Sequence, residues 1–259
     1  MGTEFVTVKA DGPLAFLQLN RPPANAYNLE LLEDLDAAIE KVRHRAEARV
    51  VIVRGNERFF SAGADITTFT GASPEAIATF ALVGHQALDK LGRLPQIVIA
   101  AIEGHAMGGG LEMALACDLR FMARGKGRLG LVEAKIAAVP NMGGTQRMPR
   151  LIGKARALSM MITGETVDAD QALQLGLVDR VYEAAELLPK TIEYAGALAR
   201  GATLTLGLIK QCVNEGLEMP LAAGLALERA CGGIAFRSED FQEGARAFVE
   251  KRAPKFQGR

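Results

Sequence analysis

Two glutamates carry the chemistry this sequence offers. Glu112 lies in GGGLEMALA, directly behind Gly108, Gly109 and Gly110. Glu133 lies in GLVEA, a lone carboxylate in an otherwise apolar stretch. Burying such a carboxylate is expensive unless it is paired or protonated, and burial raises its pKa toward neutral pH, where it can transfer protons. Glu112 falls in the first turn of a helix, where backbone N–H groups lack internal partners and the dipole favours negative oxygen. A second loop of small residues, Ser61-Ala62-Gly63-Ala64-Asp65-Ile66, follows a buried strand and again bares backbone N–H groups. Two such loops can aim two donors at one oxygen, as an oxyanion hole requires. The set suits acid–base chemistry on a polarised carbonyl. The same residues also fit plainer roles. A glycine run can serve packing alone, Glu112 can be a dipole partner, Glu133 a surface residue at a helix start, and SAGADI a tight turn.

Other chemistries find less support. No G-x-G-x-x-G occurs at the glycine block and no G-K-[ST] follows it, so common nucleotide-phosphate motifs are excluded there. The four serines are Ser61, Ser73, Ser159 and Ser238, and none lies in G-x-S-x-G. A Ser-His-Asp hydrolase built on Ser61, His105 and an Asp is the second enzyme class to weigh. Of the histidines, His44 reads as solvated, His85 as structural within a helix, and His105 as a loop residue beside the glycine turn. Cys117, Cys212 and Cys231 form no C-x-x-C and no zinc spacing, and read as reduced packing residues of a cytoplasmic protein.

The positioning elements follow from pattern. Ile97 to Ile102 is a solid apolar run, a strand buried on both faces, and it leads through Gly104 and the three glycines into the LEMALA helix. Upstream, Phe5–Lys9 and Leu14–Leu19 flank Asp11-Gly12 as a hairpin, and a helix spans about 29–45. Val50–Val53 is a short buried strand, 55–60 a loop, and Ser73-Pro74 the start of a helix reaching about residue 93. Leu119–Ala123 and Val178–Tyr182 read as strands, Gly143-Gly144 as a helix start, and Asp168-x-x-Gln171 as a capping box. Beyond residue 185 the pattern is helical, with breaks near Gly201, Pro220 and Arg237. Strands alternating with helices predict an α/β core with a helical tail, and no internal repeat stands out.

Composition narrows the partners. The 259 residues are 49% hydrophobic, a globular value, and 30 basic residues balance 30 acidic ones. Nothing there favours nucleic acid. No apolar run spans a membrane, and the N-terminus MGTEFVTVKADG lacks a secretory signal.

FSAGADI, IAAIEGHAMGGGLEMALACDLRF, GLVEAKIAAVPNMGGTQRMPRLIG and EGARAFVEKRAPKFQGR, in this order, resemble the enoyl-CoA hydratase/isomerase family, the crotonases. The resemblance covers nearly the whole chain. It implies a crotonase-like spiral of ββα units over residues 1–195 and a helical trimerisation domain over 196–259, assembled as a homotrimer or hexamer. It implies acyl-CoA substrates and no metal or redox cofactor, coenzyme A being part of the substrate. By position, the Ala64 and Gly109 N–H groups form the oxyanion hole, and Ala62, Ala64, Asp65 and Ile66 line the coenzyme A site. Phe248 and Lys251 match positions that in some relatives reach the coenzyme A of a neighbouring subunit. Glu112 and Glu133 match the hydratase pair, implying hydration of trans-2-enoyl-CoA, with Glu112 activating water and Glu133 delivering a proton. A Δ3-Δ2 isomerase, or a hydratase of aromatic or branched acyl-CoA breakdown, is the alternative. Three positions depart from the family pattern: Thr67 replaces a frequent Lys, Ala137 a frequent Gly, and Asn141-Met142 a commoner Gly-containing pair. They bear on the acyl group rather than on the reaction class.

Overall fold

The computed structural model describes residues 4–259; residues 1–3, part of the stretch read as free of a secretory signal, lie outside it. The chain begins with the expected hairpin. Strands β1 (Val6–Asp11) and β2 (Leu14–Leu19) pair from Val6↔Leu19 to Asp11↔Leu14, so only Gly12 and Pro13 connect them. Helix α1 (Leu29–Arg43) follows, its start fixed by Asn28, whose side chain accepts from Leu31 N–H.

One unit then occurs three times: a strand in a large sheet, a short strand in a small sheet, and a helix. The first is β3 (Val50–Arg54), β4 (Phe59–Ser61) and α2 (Pro74–Gly92), with a 3₁₀ turn at Ile66–Phe69 before the helix. The second is β5 (Ile97–Ile102), β6 (His105–Met107) and α3 (Gly109–Ala116). The third is β7 (Leu119–Ala123), β8 (Leu129–Gly130), a 3₁₀ turn at Glu133–Ile136, and α4 (Gly144–Ile152). Next come α5 (Lys154–Thr163), α6 (Ala169–Leu175), β9 (Arg180–Tyr182) and α7 (Leu187–Ala199). The tail is α8 (Thr203–Gly216), α9 (Leu221–Ala235) and α10 (Glu239–Val249). No helix among the described residues is long and apolar enough to cross a membrane.

The large sheet has the order β1-β2-β3-β5-β7-β9, parallel except for the hairpin pair, and the small one is β4-β6-β8. The small sheet corrects two expectations. Residues 55–60 are not all loop, since Phe59 and Phe60 enter β4, and His105 is a strand residue of β6. Strands of two or three residues are too short for alternation to show. The repeat is likewise architectural rather than textual. What recurs is a corner glycine: a Cβ on Gly104 would overlap the Arg58–Phe59 backbone, and one on Gly127 the Gly104–His105 backbone. Each turn of the spiral rests on bare backbone of the next.

The large sheet is buried on both faces. Val51, Val53, Val98 and Ala100 face a core with Leu31, Leu35 and Ile39 of α1 and Leu88 and Leu91 of α2. Val50, Ile52, Ile99 and Phe121 face Leu187, Ala195 and Ala199 of α7. Helix α7 thus runs through the expected division at residue 195 and belongs to the sheet layer. The tail attaches by a buried ion pair. Lys210 Nζ lies 2.8 Å from Asp118 Oδ2 and donates to the Gln96 carbonyl at 3.0 Å. Otherwise the tail is lightly buried. Lys210 is the only buried residue of α8 and Cys231 the only one of α9, although both helices are rich in apolar residues.

Candidate active site

The large strand β5 delivers the chain to β6, and β6 delivers it to Gly108, whose φ of +51° and ψ of −125° only glycine adopts easily. That turn starts α3, and Glu112 N–H donates to the Gly108 carbonyl at 3.0 Å as the first helical bond. Glu112 therefore sits one turn into α3. It is 2% exposed. Its Oε1 accepts from Met142 N–H at 2.8 Å and from Gly144 N–H at 2.7 Å. Gly144 is the first residue of α4, so the unpaired donors of that helix start hold the carboxylate. Burial raises the Glu112 pKa, while the two backbone donors, with His85 and Arg147 nearby, oppose the rise.

Glu133 opens the 3₁₀ turn after β8 and faces the same glycine turn. A Cβ on Gly108 would lie 3.0 Å from Glu133 Oε1. Its Oε2 is buried and has no hydrogen-bond partner among the described residues. Desolvation, with a smaller contribution from the Glu112 charge, pushes its pKa up to about 7. One carboxylate is thus held by two donors, and the other is unsatisfied and readily protonated. The Glu112 charge adds to the rise at Glu133, so the ionised state of the first favours the protonated state of the second.

The loops that were expected to supply backbone donors meet beside the glutamates. A Cβ on Gly63 would lie 2.9 Å from Gly109 N, and one on Gly109 would lie 3.6 Å from Gly63 Cα. Tyr27 fastens this junction. Its N–H donates to the Gly63 carbonyl at 2.7 Å, and Asp65 N–H donates to the Tyr27 carbonyl at 2.8 Å. The Tyr27 hydroxyl donates to the Gly109 carbonyl at 3.2 Å. Neither the Ala64 nor the Gly109 N–H donates to another group among the described residues.

Ser61 has a structural task. Fully buried, its hydroxyl donates to the Asn25 carbonyl at 2.7 Å and accepts from Gly63 N–H at 3.0 Å, which shapes the loop carrying Ala64. His105 Nδ1 accepts from Arg128 N–H at 3.1 Å, and its ring rests on Phe59 at 5.3 Å. The two residues form no nucleophile–base pair, and the hydrolase reading falls.

The remaining expected residues divide in two. Ala62, Asp65 and Ile66 continue the Ala64 loop; Asp65 caps the 3₁₀ turn and pairs with Arg21 at 2.9 Å, while Ile66 is exposed. Phe248 and Lys251 lie at the end of α10, in another part of the chain, with Phe248 86% exposed. Two open clefts flank the C-terminal segment, one lined by Arg49 and Phe256 and the other by Asp240 and Arg252, and neither includes the glutamates. Sequence reading did not find Tyr27, or the Met142 and Gly144 donors. The glycine pair before α4 was the available signal for the donors, being the same signature as the turn before α3.

The family description Enoyl-CoA hydratase/isomerase matches residues 9–259. The chain is 38% identical over 255 residues to a probable enoyl-CoA hydratase of Bacillus subtilis (strain 168), covering 98% of each. It is 35% identical over 249 residues to the short-chain-enoyl-CoA hydratase of Clostridium acetobutylicum, covering 95% of each. A crystal structure of an enoyl-CoA hydratase from Geobacillus kaustophilus HTA426 superposes with a TM-score of 0.97 at 44% identity, covering 100% of this chain and 98% of that one.

Proposed function

The chain belongs to the enoyl-CoA hydratase/isomerase family, and from that premise we propose that it hydrates trans-2-enoyl-CoA to 3-hydroxyacyl-CoA in fatty-acid or related acyl-CoA metabolism. The thioester oxygen lies between the Ala64 and Gly109 N–H groups, and Ala62, Asp65 and Ile66 flank the coenzyme A. Glu112 takes a proton from water as its oxygen attacks Cβ. Glu133 gives a proton to Cα, and the charge that develops on the thioester oxygen is held by the two backbone donors. One observation carries the reading: a Glu112 carboxylate locked by two N–H groups stands beside a Glu133 whose Oε2 has no partner among the described residues. The first is suited to accept a proton, the second to donate one. The test is a screen with crotonyl-CoA, longer 2-enoyl-CoAs and 3-enoyl-CoAs, with product stereochemistry. Hydration of 2-enoyl-CoA should dominate; turnover of 3-enoyl-CoA alone would replace the hydratase reading by an isomerase one.

The same reading includes self-assembly through the segment 196–259. Val213, Leu217, Leu221, Ile234, Phe236, Phe248 and Val249 are all more than a third exposed, too much apolar surface for a tail facing water. A trimer or hexamer is expected, with Phe248 and Lys251 placed toward a neighbouring coenzyme A. Light scattering at micromolar concentration should give a multiple of three times the 27.6 kDa chain. A monomeric mass would contradict the assembly.

A further inference from the structure

The acyl chain of a substrate bound in the proposed way must leave the reaction centre past Glu112, because Glu112 serves Cβ and the next carbon follows it. The wall at that point is formed by the two residues whose N–H groups hold Glu112, Met142 and Gly144. Gly144 contributes no side chain, and a Cβ there would lie 2.9 Å from Glu112 Oε1. Met142 contributes a long one. It is 4% exposed, so its side chain points inward. It ends on α2 at Gly84, where a Cβ would lie 2.5 Å from Met142 Cε, 2.7 Å from Sδ and 3.2 Å from Cγ. The thioether therefore fills the space between Glu112 and α2, and a bare glycine makes room for its tip. One turn earlier on α2, Phe80 meets Phe69 edge-on at 5.0 Å and closes that side with aromatic surface. The space is filled by an unbranched thioether that is buried and seated against the bare backbone of Gly84.

Resting on the hydratase reading, we infer that Met142 is the stop of the acyl cleft and holds this enzyme to short 2-enoyl-CoA thioesters. Gly84 sets where the stop stands. Removing Cγ, Sδ and Cε would leave an apolar groove floored by the Gly84 backbone, open to a longer chain by a comparable length. A methyl on Gly84 would push the thioether back toward Glu112 and shorten the cleft.

The experiment uses the full-length protein and two readouts. Non-reacting butyryl-, hexanoyl-, octanoyl- and decanoyl-CoA are titrated by calorimetry, and kcat/KM is measured for the trans-2-enoyl-CoAs of the same lengths. In the wild type, affinity should stop rising after the shortest members. In Met142→Ala each further methylene should add about fourfold until the groove is full. The octenoyl-to-crotonyl ratio of kcat/KM should accordingly rise by at least about tenfold. Gly84→Ala should move the dependence the opposite way, and Met142→Leu, which keeps the bulk, should follow the wild type. The same chain-length dependence in wild type, Met142→Ala and Gly84→Ala would overturn the assignment of Met142. If crotonyl-CoA is hydrated in that case, the hydratase reading survives alone. If instead the binding series shifts as described but no 2-enoyl-CoA is hydrated, the hydratase reading fails and the acyl stop stands.

Discussion

Replacing Glu133 by Gln is expected to lower kcat for hydration by about 10²–10⁴, with coenzyme A affinity nearly unchanged. The isosteric amide keeps the shape of the site and removes only the proton to be delivered. Glu112→Gln should fall in the same range for the opposite reason. Its amide cannot accept the proton of water, and turning its NH₂ toward the Met142 and Gly144 N–H groups would forfeit both hydrogen bonds, so the amide oxygen is expected to stay on those donors. The sign of the pH dependence follows from the pair. Glu133 must be protonated to act, so kcat/KM should fall as pH rises through about 7. Glu112 must be ionised, and burial raises its pKa, so the acid limb should begin above the ordinary carboxylate range. The profile is a bell whose two apparent pKa values belong to the pair.

The same glutamate gives a stability signature. The pKa of Glu133 is raised on folding from an ordinary 4.5 to about 7, so the folded state binds the extra proton and loses stability as pH rises between those values. Above pH 7 the penalty is complete. Allowing for the partial exposure of the side chain, Glu133→Gln should be more stable than the wild type by about 1–2 kcal/mol at pH 8 and equal to it near pH 4. Denaturant titrations at the two pH values check this. Near-wild-type turnover in either glutamine variant would remove that residue from the mechanism.

Gly109→Val is the second large effect. The new Cβ would not point at a bound thioester. It would point at Tyr27, 3.1 Å from Cε2 and 3.2 Å from Cδ2, with Gly63 Cα at 3.6 Å. Tyr27 is fully buried and anchors both loops, so it cannot retreat. The loops must part instead, and the Ala64 and Gly109 N–H groups lose their common aim. Loss of one oxyanion donor costs on the order of 10²–10³ in kcat, and overpacking adds about 1–3 kcal/mol of destabilisation. Coenzyme A affinity should change less than kcat, because the two N–H groups act chiefly on the charge that develops in the transition state; a smaller loss of affinity is expected as well, since Ala62, Asp65 and Ile66 ride on the same loop as Ala64. Ser61→Ala gives the comparison. It removes a buried hydroxyl that joins Asn25 to Gly63, so about 1–3 kcal/mol of stability should be lost while most of the turnover remains. Kinetics and melting of the two variants under one set of conditions decide the point: if Ser61→Ala abolished turnover while Gly109→Val did not, the oxyanion assignment would be lost.

The sequence by itself determined the elements whose cause is local. The apolar run at Ile97–Ile102, the caps at Ser73 and Asp168, and the breaks of the tail at Gly201, Pro220 and Arg237 all stand close to where pattern puts them. Periodicity and capping act over a few residues, and a few residues suffice to read them. It also marked both glutamates and both glycine loops, because a lone carboxylate in apolar sequence and a glycine run before a helix are unusual in themselves. Only the tertiary structure decided what these pieces do to one another. The strands β4, β6 and β8 are too short to have a period and exist because they pair across turns of the spiral. Ser61, conspicuous as a candidate nucleophile, turns out to be a loop brace, because its partner Asn25 lies on a distant segment brought to it by the fold. Glu112 is set by donors at Met142 and Gly144, and the side chain of Met142 is set by the absence of one at Gly84. Such couplings depend on which surfaces the core brings together, and the burial of the large sheet on both faces brings these together across long stretches of chain.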